Sequence, residues 1–408
     1  MLVALTSKGQ VISLVMPLYT PEFLHSLRKL TEFYCPVCKQ KVILKLGQKK
    51  IWHFAHHYHF PCTLTQYEAE SERHLKGKKE LFTWFETYHQ APILEHYLPE
   101  LHQRPDLYLP QKRVAIEYQC SNMPLEVIKR RIRGYHQEKL ANVWILGENR
   151  LKRKGLKTKL SQMDLMMMHD QSIFRNLNQS PFVSPYKLLF FNPSSKIFTY
   201  IHHIIPLTPT QFISERKDIK MSHINPNHLF TMPLSHSPKP LANEWNKHKQ
   251  RERLIPHKYT SQTEHYLRTL CYKKNRVYYQ FPSFIGLPHY SYIRLETSPV
   301  HWQYWIFLRY INNAKPYARL SIKRMIKEIK YYIQKGILRE RKNIFAPSLE
   351  FAIKIYLNQL CYLRVLYKID KDFFIHPDWL NYDGSSIETL IQKDHEILHK
   401  LHTIYKHK

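Results

Sequence analysis

Apolar and polar residues alternate in short runs along the first part of the chain. The segment MLVALTSKGQVISLV predicts a β-hairpin that turns near Gly9, and a short helix is expected over residues 21–30. KVILKL and KKIWHF predict two further strands around a turn at Gly47. These elements indicate a small, strand-rich module over residues 1–62.

A helix, three strands, a second helix and a fourth strand are predicted between residues 65 and 150. In ESERHLKGKKELFTWFETYH, leucine and aromatic residues recur at helical spacing. APILEHYL, PDLYL and RVAIEYQC have the length and composition of strands, and PLEVIKRRIRGYHQEK has the apolar stripe of an amphipathic helix. NVWILG is a short apolar run of the kind that is buried in a parallel sheet. This order of elements predicts an α/β domain.

The rest of the chain divides into three parts. YKLLFFNPSSKIFTYIHHII predicts a hairpin that adds strands to the α/β domain, whose predicted extent is residues 65–205. Residues 206–257 are rich in Pro, Asn, Ser and His and show little periodicity, which predicts a linker. Helical patterns predict a basic, mostly α-helical domain over residues 258–408, among them the amphipathic SIKRMIKEIKYYIQKG and the apolar FAIKIYLNQLCYLRVLY.

The charge of the chain points to a polyanionic partner. The 408 residues include 62 Lys and Arg against 32 Asp and Glu, a formal net charge of +30. A hydrophobic content of 43% excludes a disordered protein, and 28 Tyr, 20 Phe and 7 Trp supply rings that can stack on nucleic-acid bases. A basic protein from a Lys-biased genome is the alternative. Charge and aromatic content together favour a nucleic-acid partner.

The sequence lacks the features of a secreted or membrane protein. Its first residues have no basic start, and Lys8 and Gly9 interrupt the apolar run, unlike a signal peptide. No apolar stretch reaches the roughly 20 residues of a membrane span. Of the six cysteines, only Cys35 and Cys38 are closely spaced, which does not indicate a disulfide framework. We therefore expect a cytoplasmic protein without membrane insertion.

Two pairs of metal-binding residues lie in the N-terminal module. Cys35 and Cys38 form a CPVC knuckle, and a predicted hairpin separates them from His53 and His56, as in many tetrahedral Zn²⁺ sites. Because side chains alternate along a strand, both histidines face one metal only if the strand ends or bends between them, so Cys62 is an alternative to either. The predicted zinc is structural, since four protein ligands leave no open position. A metal-free hairpin with two buried thiols is the other interpretation.

Carboxylates occupy the second and third strands of the α/β domain. Asp106 begins one strand and Glu117 lies on its predicted partner, where the two side chains would be neighbours. Glu117 and Gln119 point to the same face because they are two residues apart. Carboxylate oxygens are the ligands that Mg²⁺ prefers, so the pair predicts a Mg²⁺ or Mn²⁺ site. Ordinary surface charges are the alternative interpretation.

The segments CPVC, WHFAH, ESERHLKGK, RPDLYL and AIEYQCSNM, in this order, resemble the competence protein CoiA family of naturally transformable bacteria. The likeness is densest between Cys35 and Gly147. It implies a restriction-endonuclease-like core of the PD-(D/E)xK type, flanked by the zinc-hairpin module and the helical C-terminal domain. It further implies metal-dependent phosphodiester hydrolysis and a role in transformation, where imported single-stranded DNA is recombined into the chromosome.

The resemblance also implies roles for individual residues. Glu72, on the first helix, would join Asp106 and Glu117 around the cation, and Gln119 would orient the attacking water. Most of the superfamily has a lysine at the position of Gln119, and its charge stabilises the transition state. A glutamine provides hydrogen bonds without charge. We expect a nearby cation of the second helix, Lys129, Arg130 or Arg133, to replace it.

Basic residues around this core are predicted to contact nucleic acid. They match the family's helix pattern, lie on the second helix, or belong to the basic run RLKRKGLKTKL: His74, Lys78, Lys129, Arg130, Arg133, Lys152 and Lys154. The expected partners are DNA, single-stranded or branched, and recombination proteins. The alternatives to a DNA nuclease are a catalytically weak or inactive DNA-binding factor that assists recombination, and an RNA-acting or restriction-type nuclease.

Overall fold

The structure of the chain is a computed structural model. The residues it describes are 1–16, 19–48, 50–57, 62, 70–170, 180–229, 231, 237–255, 260–341, 347–377 and 386–406. The predicted domain boundaries at residues 65 and 258 lie outside these ranges.

The N-terminal module is an antiparallel sheet with one helix, as the alternation predicts. Its strand order is β2-β1-β3-β4-β5, and β4 and β5 form the hairpin predicted around Gly47. The helix begins after Thr20, whose side chain accepts a hydrogen bond from the Phe23 N–H. The elements are β1 (Val3–Thr6), β2 (Val11–Ser13), α1 (Pro21–Leu30), β3 (Phe33–Tyr34), β4 (Lys41–Lys45) and β5 (His53–His56).

A mixed sheet forms the centre of the molecule, and the predicted order of helix, three strands, helix and strand is found here. The elements are α2 (Glu72–Thr87), β6 (Ile93–Leu94), β7 (Leu107–Leu109), β8 (Val114–Gln119), α3 (Leu125–Gln137), β9 (Ala141–Gly147), β10 (Lys152–Lys154), β11 (Lys157–Lys159), α4 (Gln162–Met166), β12 (His169–Asp170), β13 (Tyr186–Asn192), β14 (Ile197–Pro206), β15 (Gln211–Lys220) and α5 (Pro238–Leu254). In the described residues the strand order is β10-β11-β15-β14-β13-β9-β8-β7-β6, with β12 beside β13. Strands β8, β9 and β13 run parallel, and the other pairs are antiparallel.

Helices cover both faces of the central sheet. Leu75 and Leu81 of α2 pack with Ile116 and Tyr118 of β8 on one face, and α3, α4 and α5 build the apolar core on the other. Helix α2 lies very close to β8 at Gly77, which has no side chain. A Cβ atom at this position would lie 1.9 Å from Cε1 of Tyr118. This close approach brings the side chains of α2 to the ends of β7 and β8.

The linker predicted over residues 206–257 is wrong for the described part of this segment. Strand β15 pairs with β14 and β11 inside the central sheet, and α5 is a 17-residue helix. The periodicity of α5 is weak because polar residues fill part of its buried face. Lys249 and Arg253 are buried and form ion pairs with Asp394 at 2.8 and 2.9 Å. A hydrophobic pattern cannot reveal a helix that docks through such contacts.

The C-terminal domain surrounds one large apolar core. Helix α9 is buried along most of its length, as its composition predicts, and the strands form a small sheet of order β16-β18-β17. The elements are α6 (Gln262–Tyr272), α7 (Pro299–Ile306) with a π-helical continuation (Phe307–Ile311), β16 (Arg319–Leu320), α8 (Ile322–Gln334), α9 (Leu349–Tyr362), β17 (Leu366–Ile369), β18 (Asp372–Ile375) and α10 (Ile387–Lys406). No helix in the described ranges is long and apolar enough to cross a membrane.

We expect buried His289 to make the stability of this domain depend on pH. Its ring packs against Tyr290 at a tilt of 34°, its Nδ1 accepts the N–H of Ser291, and burial lowers its pKa to about 3. Below pH ~6.5 the unfolded chain gains a proton that the folded chain cannot take up, so stability falls with falling pH. We expect His289→Asn to remove up to about 2 kcal/mol of the loss between pH 6.5 and 4.5.

Urea unfolding followed by circular dichroism at several pH values would measure this effect. The asparagine can accept the same Ser291 N–H bond without gaining a proton. Exposed His265 supplies the matched control, His265→Asn. An unchanged pH dependence in His289→Asn would show that other groups cause the acid sensitivity.

Candidate functional site

Asp106 lies where α2 meets the ends of β7 and β8. Its carboxylate accepts a hydrogen bond from the backbone N–H of Tyr118 at 2.9 Å and lies 3.1 Å from Nε2 of His74. Burial alone would raise the pKa of Asp106, but His74 and Lys78 outweigh burial and hold the pKa at about 2. Asp106 is therefore an ionised carboxylate in a buried position.

Lys78 is the centre of a buried ionic cluster. The side chain is fully buried, and its ammonium contacts the carboxylates of Glu70 and Glu95 and lies 3.7 Å from Oδ1 of Asp106. Burial would lower the pKa of Lys78, but the three carboxylates raise it well above its usual value. The predicted contact of Lys78 with phosphate is therefore not supported by its position, because the ammonium is enclosed by the protein.

The acidic residue near Asp106 is Glu70, just before α2, and not the predicted helix residue Glu72. Donor atoms of Glu70, His74 and Asp106 all lie within 4.8 Å of one another. Glu70 precedes the helix and is four residues from His74, whereas Glu72 is exposed in the first turn of α2. Two residues of helix correspond to a rotation of about 200°, so Glu72 and His74 point in nearly opposite directions.

Glu117 is buried close to Asp106 but is held by the other helix. Its carboxylate lies 2.7 Å from Nη2 of Arg131 and accepts a hydrogen bond from the Tyr135 hydroxyl, both on α3. Burial raises the pKa of Glu117 to about 7, although Arg131 opposes this effect. Tyr118 packs against α2 while Glu117 points to α3, as the alternation along β8 requires. The structure therefore places Glu117 outside the Glu70–His74–Asp106 group.

Gln119 ends β8 on the same face as Glu117. Its amide nitrogen donates hydrogen bonds to the carbonyl and hydroxyl oxygens of Ser121, at 3.1 and 3.3 Å. The amide is thus oriented by the loop that follows the strand. This orientation directs the nitrogen of Gln119 toward Ser121.

The cations predicted to replace the superfamily's lysine lie elsewhere. Lys129 is paired with Glu126 at 2.6 Å, and Arg130 and Arg133 are exposed on α3. Arg131, on the same helix, is buried and lies against Glu117. In the described residues the ammonium nearest to Asp106 is that of Lys78.

In the N-terminal module, the cysteine cluster contains one ligand that differs from the predicted set. Donor atoms of Cys35, Cys38, His56 and Cys62 lie within 4.8 Å of one another, and Sγ of Cys38 is 3.3 Å from Nε2 of His56. His53 lies outside the cluster, with Nδ1 bonded to the carbonyl of Ile51. The two histidines point apart because they are three residues apart on β5. Cys62, the alternative given by the sequence, takes the position of His53.

Comparison with known proteins places these sites in family domains. The N-terminal domain of competence protein CoiA matches residues 18–65, its nuclease-like domain matches residues 70–233, and its C-terminal domain matches residues 241–378. The chain belongs to the competence protein CoiA family. The CoiA of Bacillus subtilis strain 168 is 29% identical over 374 residues, which cover 90% of this chain and 95% of the relative. No solved structure matches the chain.

The domains of the CoiA family agree with the architecture. The nuclease-like match begins at Glu70 and includes β15, and the C-terminal match begins within α5. Both observations overturn the linker predicted over residues 206–257.

Glu95 is a residue of the CoiA nuclease-like domain that the sequence interpretation missed. It accepts the backbone N–H of Leu2 at 2.9 Å, contacts Lys78, and lies 3.8 Å from Nη1 of Arg104. Glu95 thereby joins the N-terminal module to the ionic cluster around Asp106. A charged residue inside the apolar run APILEHYL is the signal that could have indicated it.

The predicted phosphate contacts Lys152 and Lys154 lie on an edge hairpin. Lys152 pairs directly with Lys159, and Lys154 with Lys157, although like charges in directly opposed positions are unfavourable. These lysines and Arg251 line a groove of about 520 Å³. Strand β10, which carries Lys152 and Lys154, is six positions from β8 in the sheet, about 29 Å at 4.8 Å per strand, so the two lysines lie far from the ends of β7 and β8.

Proposed function

We propose that this CoiA-family chain is a metal-dependent DNA nuclease that acts in bacterial competence, with a core of the PD-(D/E)xK type. The observation that carries the proposal is the convergence of Glu70, His74 and Asp106 inside the nuclease-like domain. The name of the Bacillus subtilis relative supports the competence role. The predicted order of strands and helices around Asp106 and Glu117 supports the type of core.

The donor set fits a divalent cation. Glu70, His74 and Asp106 would hold it, and Glu70 replaces Glu72 in this scheme. Glu117 lies outside this group and would have to leave its ion pair with Arg131 to join the three ligands. Carboxylates suit Mg²⁺ and Mn²⁺, and an imidazole ligand favours Mn²⁺ over Mg²⁺. A bound cation would polarise a phosphoryl oxygen and lower the pKa of a bound water.

The residues of the chain supply the remaining parts of the site. Lys78 provides a fixed positive charge close to Asp106. This charge comes from helix α2, whereas most of the superfamily has its lysine on the strand, at the position of Gln119. Gln119, oriented by Ser121, would position the attacking water with its amide. His74 keeps Asp106 ionised and stands at the half-buried edge of the cluster.

The basic hairpin β10–β11 supports DNA binding. Glu244 pairs with Lys157 at 3.2 Å and is the acidic residue of the groove lining, against five basic residues of the hairpin and Arg251. This excess of positive charge suits a phosphate backbone. The net charge of the whole chain, +30, likewise favours a polyanionic partner such as DNA. Single-stranded or branched DNA is the proposed substrate, with recombination proteins as further partners.

The test is cleavage of labelled single-stranded, duplex and branched DNA with Mn²⁺ or Mg²⁺. We expect cleavage that requires the cation and is faster with Mn²⁺. Binding of all three DNA forms without cleavage in either cation would contradict the nuclease mechanism.

One observation favours the second candidate, a DNA-binding factor that assists recombination without cleavage. Glu70 is already paired with the Lys78 and Met1 ammonium groups, and Glu95 with Lys78 and Arg104. Gln119 brings no charge to the site. Such a protein would bind DNA with the same affinity after removal of Asp106, and would stimulate strand exchange without a divalent cation at this site.

We further propose that Cys35, Cys38, His56 and Cys62 hold a structural Zn²⁺. Their donor set is a common tetrahedral one, and burial raises the pKa of the Cys38 thiol to about 12 in the absence of a compensating charge. A zinc ion would provide that charge and stabilise the thiolate.

Substitution of the fourth ligand tests the zinc proposal. We expect about one Zn²⁺ per chain, lost by more than tenfold in occupancy in Cys62→Ser and retained in the matched variant His53→Ala. Elemental analysis of the purified proteins measures the metal directly. Retention of zinc in Cys62→Ser together with loss in His53→Ala would assign the fourth ligand to the histidine.

A further inference from the structure

The small sheet of the C-terminal domain has one buried and one outward face. Leu320, Phe373 and Ile375 point into the apolar core. Side chains alternate along each strand, so the next positions point outward. There the register aligns Arg319 with Phe374 and Phe374 with Tyr367, one residue from each strand.

The outward face carries aromatic rings in a stacked arrangement. The rings of Tyr367 and Phe374 are 5.3 Å apart with an interplanar angle of 23°, and Tyr317 meets Tyr367 edge-on at 6.3 Å. Tyr317 is 63% exposed. Its backbone has a φ of 65°, a left-handed conformation that costs a bulky residue about 1–3 kcal/mol. The fold therefore holds a tyrosine ring in solvent at an energetic cost.

The surroundings of these rings are basic. Exposed cations outnumber acids around this face, with Lys315, Arg319, Arg364 and Lys371 against Asp370 and Asp372. Arg319 is paired with Asp372 at 2.7 Å, beside Phe374. A sheet face with rings for stacking and cations at its margin is complementary to a chain of unstacked bases joined by phosphates.

We infer that this face, formed by Tyr317, Arg319, Tyr367 and Phe374, binds the bases of single-stranded nucleic acid. The inference rests on the proposed function in that DNA is the partner, and it assigns a strand preference to a surface outside the nuclease-like domain. Duplex DNA is excluded from the face because its bases are already stacked on one another.

Two substitutions on the full-length chain test the inference. Tyr317→Ala removes an exposed ring. Tyr367→Leu removes a ring but keeps an apolar side chain, so it still tests the inference if Tyr317→Ala fails to fold. Each is expected to weaken binding of a labelled oligothymidylate by about 5- to 100-fold. The affinity for a duplex of the same length, and the salt dependence of both affinities, should stay unchanged.

The exposed tyrosine at the end of α6 supplies the control, Tyr272→Ala, which should bind the oligothymidylate like the unsubstituted chain. Unchanged single-strand binding in both Tyr317→Ala and Tyr367→Leu, with folding verified by circular dichroism, would overturn the inference and leave the nuclease proposal intact. An equal fall for single strands and duplex would also overturn it. Failure of the unsubstituted chain to bind any DNA would overturn the inference and the proposed function together.

Discussion

Replacement of Lys78 by methionine is expected to lower the free energy of unfolding by about 3–5 kcal/mol. The methionine fills a similar volume but removes the ammonium from Glu70, Glu95 and Asp106. Each carboxylate would then keep one cationic neighbour, the Met1 ammonium for Glu70, Arg104 for Glu95 and His74 for Asp106. Loss of the shared ammonium leaves this buried cluster with less positive charge, and removal of one partner from a buried ion pair is strongly destabilising. Urea denaturation at pH 7.5 measures the difference.

The matched control for this prediction is the next residue of the same helix. Lys79 is exposed, and Lys79→Met should change the unfolding free energy by less than about 0.5 kcal/mol. The double variant Lys78→Met with Glu95→Gln should recover part of the loss, because it also removes the charge of one carboxylate that was paired with Lys78. A loss below about 1 kcal/mol in Lys78→Met would show that the ionic cluster contributes little to folding.

Asp106→Asn is expected to lower Mn²⁺-dependent cleavage by about 100-fold or more, with little change in DNA affinity. The asparagine oxygen can still accept the Tyr118 N–H, so the ends of β7 and β8 should keep their geometry. The charge that would hold the cation and interact with His74 is lost. Single-turnover cleavage at saturating DNA separates this effect from binding.

Substitutions at three glutamates in or just before α2 test which of them acts with Asp106. Glu70→Gln should reduce cleavage strongly, whereas Glu86→Gln, at an exposed position of α2, should not. Glu72→Gln tests the assignment that the family resemblance implied. A strong loss in Glu72→Gln with normal cleavage in Glu70→Gln would return the metal-binding role to Glu72. Normal cleavage in Asp106→Asn would remove Asp106 from the mechanism.

The contrast between Glu70 and Glu72 shows that a sequence pattern does not determine which of two nearby glutamates faces Asp106. Both glutamates precede or begin the same helix, and the segment EAESERH is compatible with either as the acidic partner. The helix begins after Ser71, whose hydroxyl accepts the His74 N–H. This cap sets the rotation of α2 and thereby the direction of each side chain. A pattern of apolar residues does not resolve a boundary to one residue.

The sequence by itself determined the elements whose signals are local. Alternation predicted the hairpins of the N-terminal module and the order from α2 to β9, and the CPVC spacing indicated the cysteine knuckle. The tertiary structure decided which residues meet. It selected Cys62 over His53, placed Arg131 against Glu117, joined Glu95 to Lys78, and docked α5 through buried charges. The physical reason is that these contacts connect residues far apart in the chain, and their energies depend on burial and distance, which no local pattern contains.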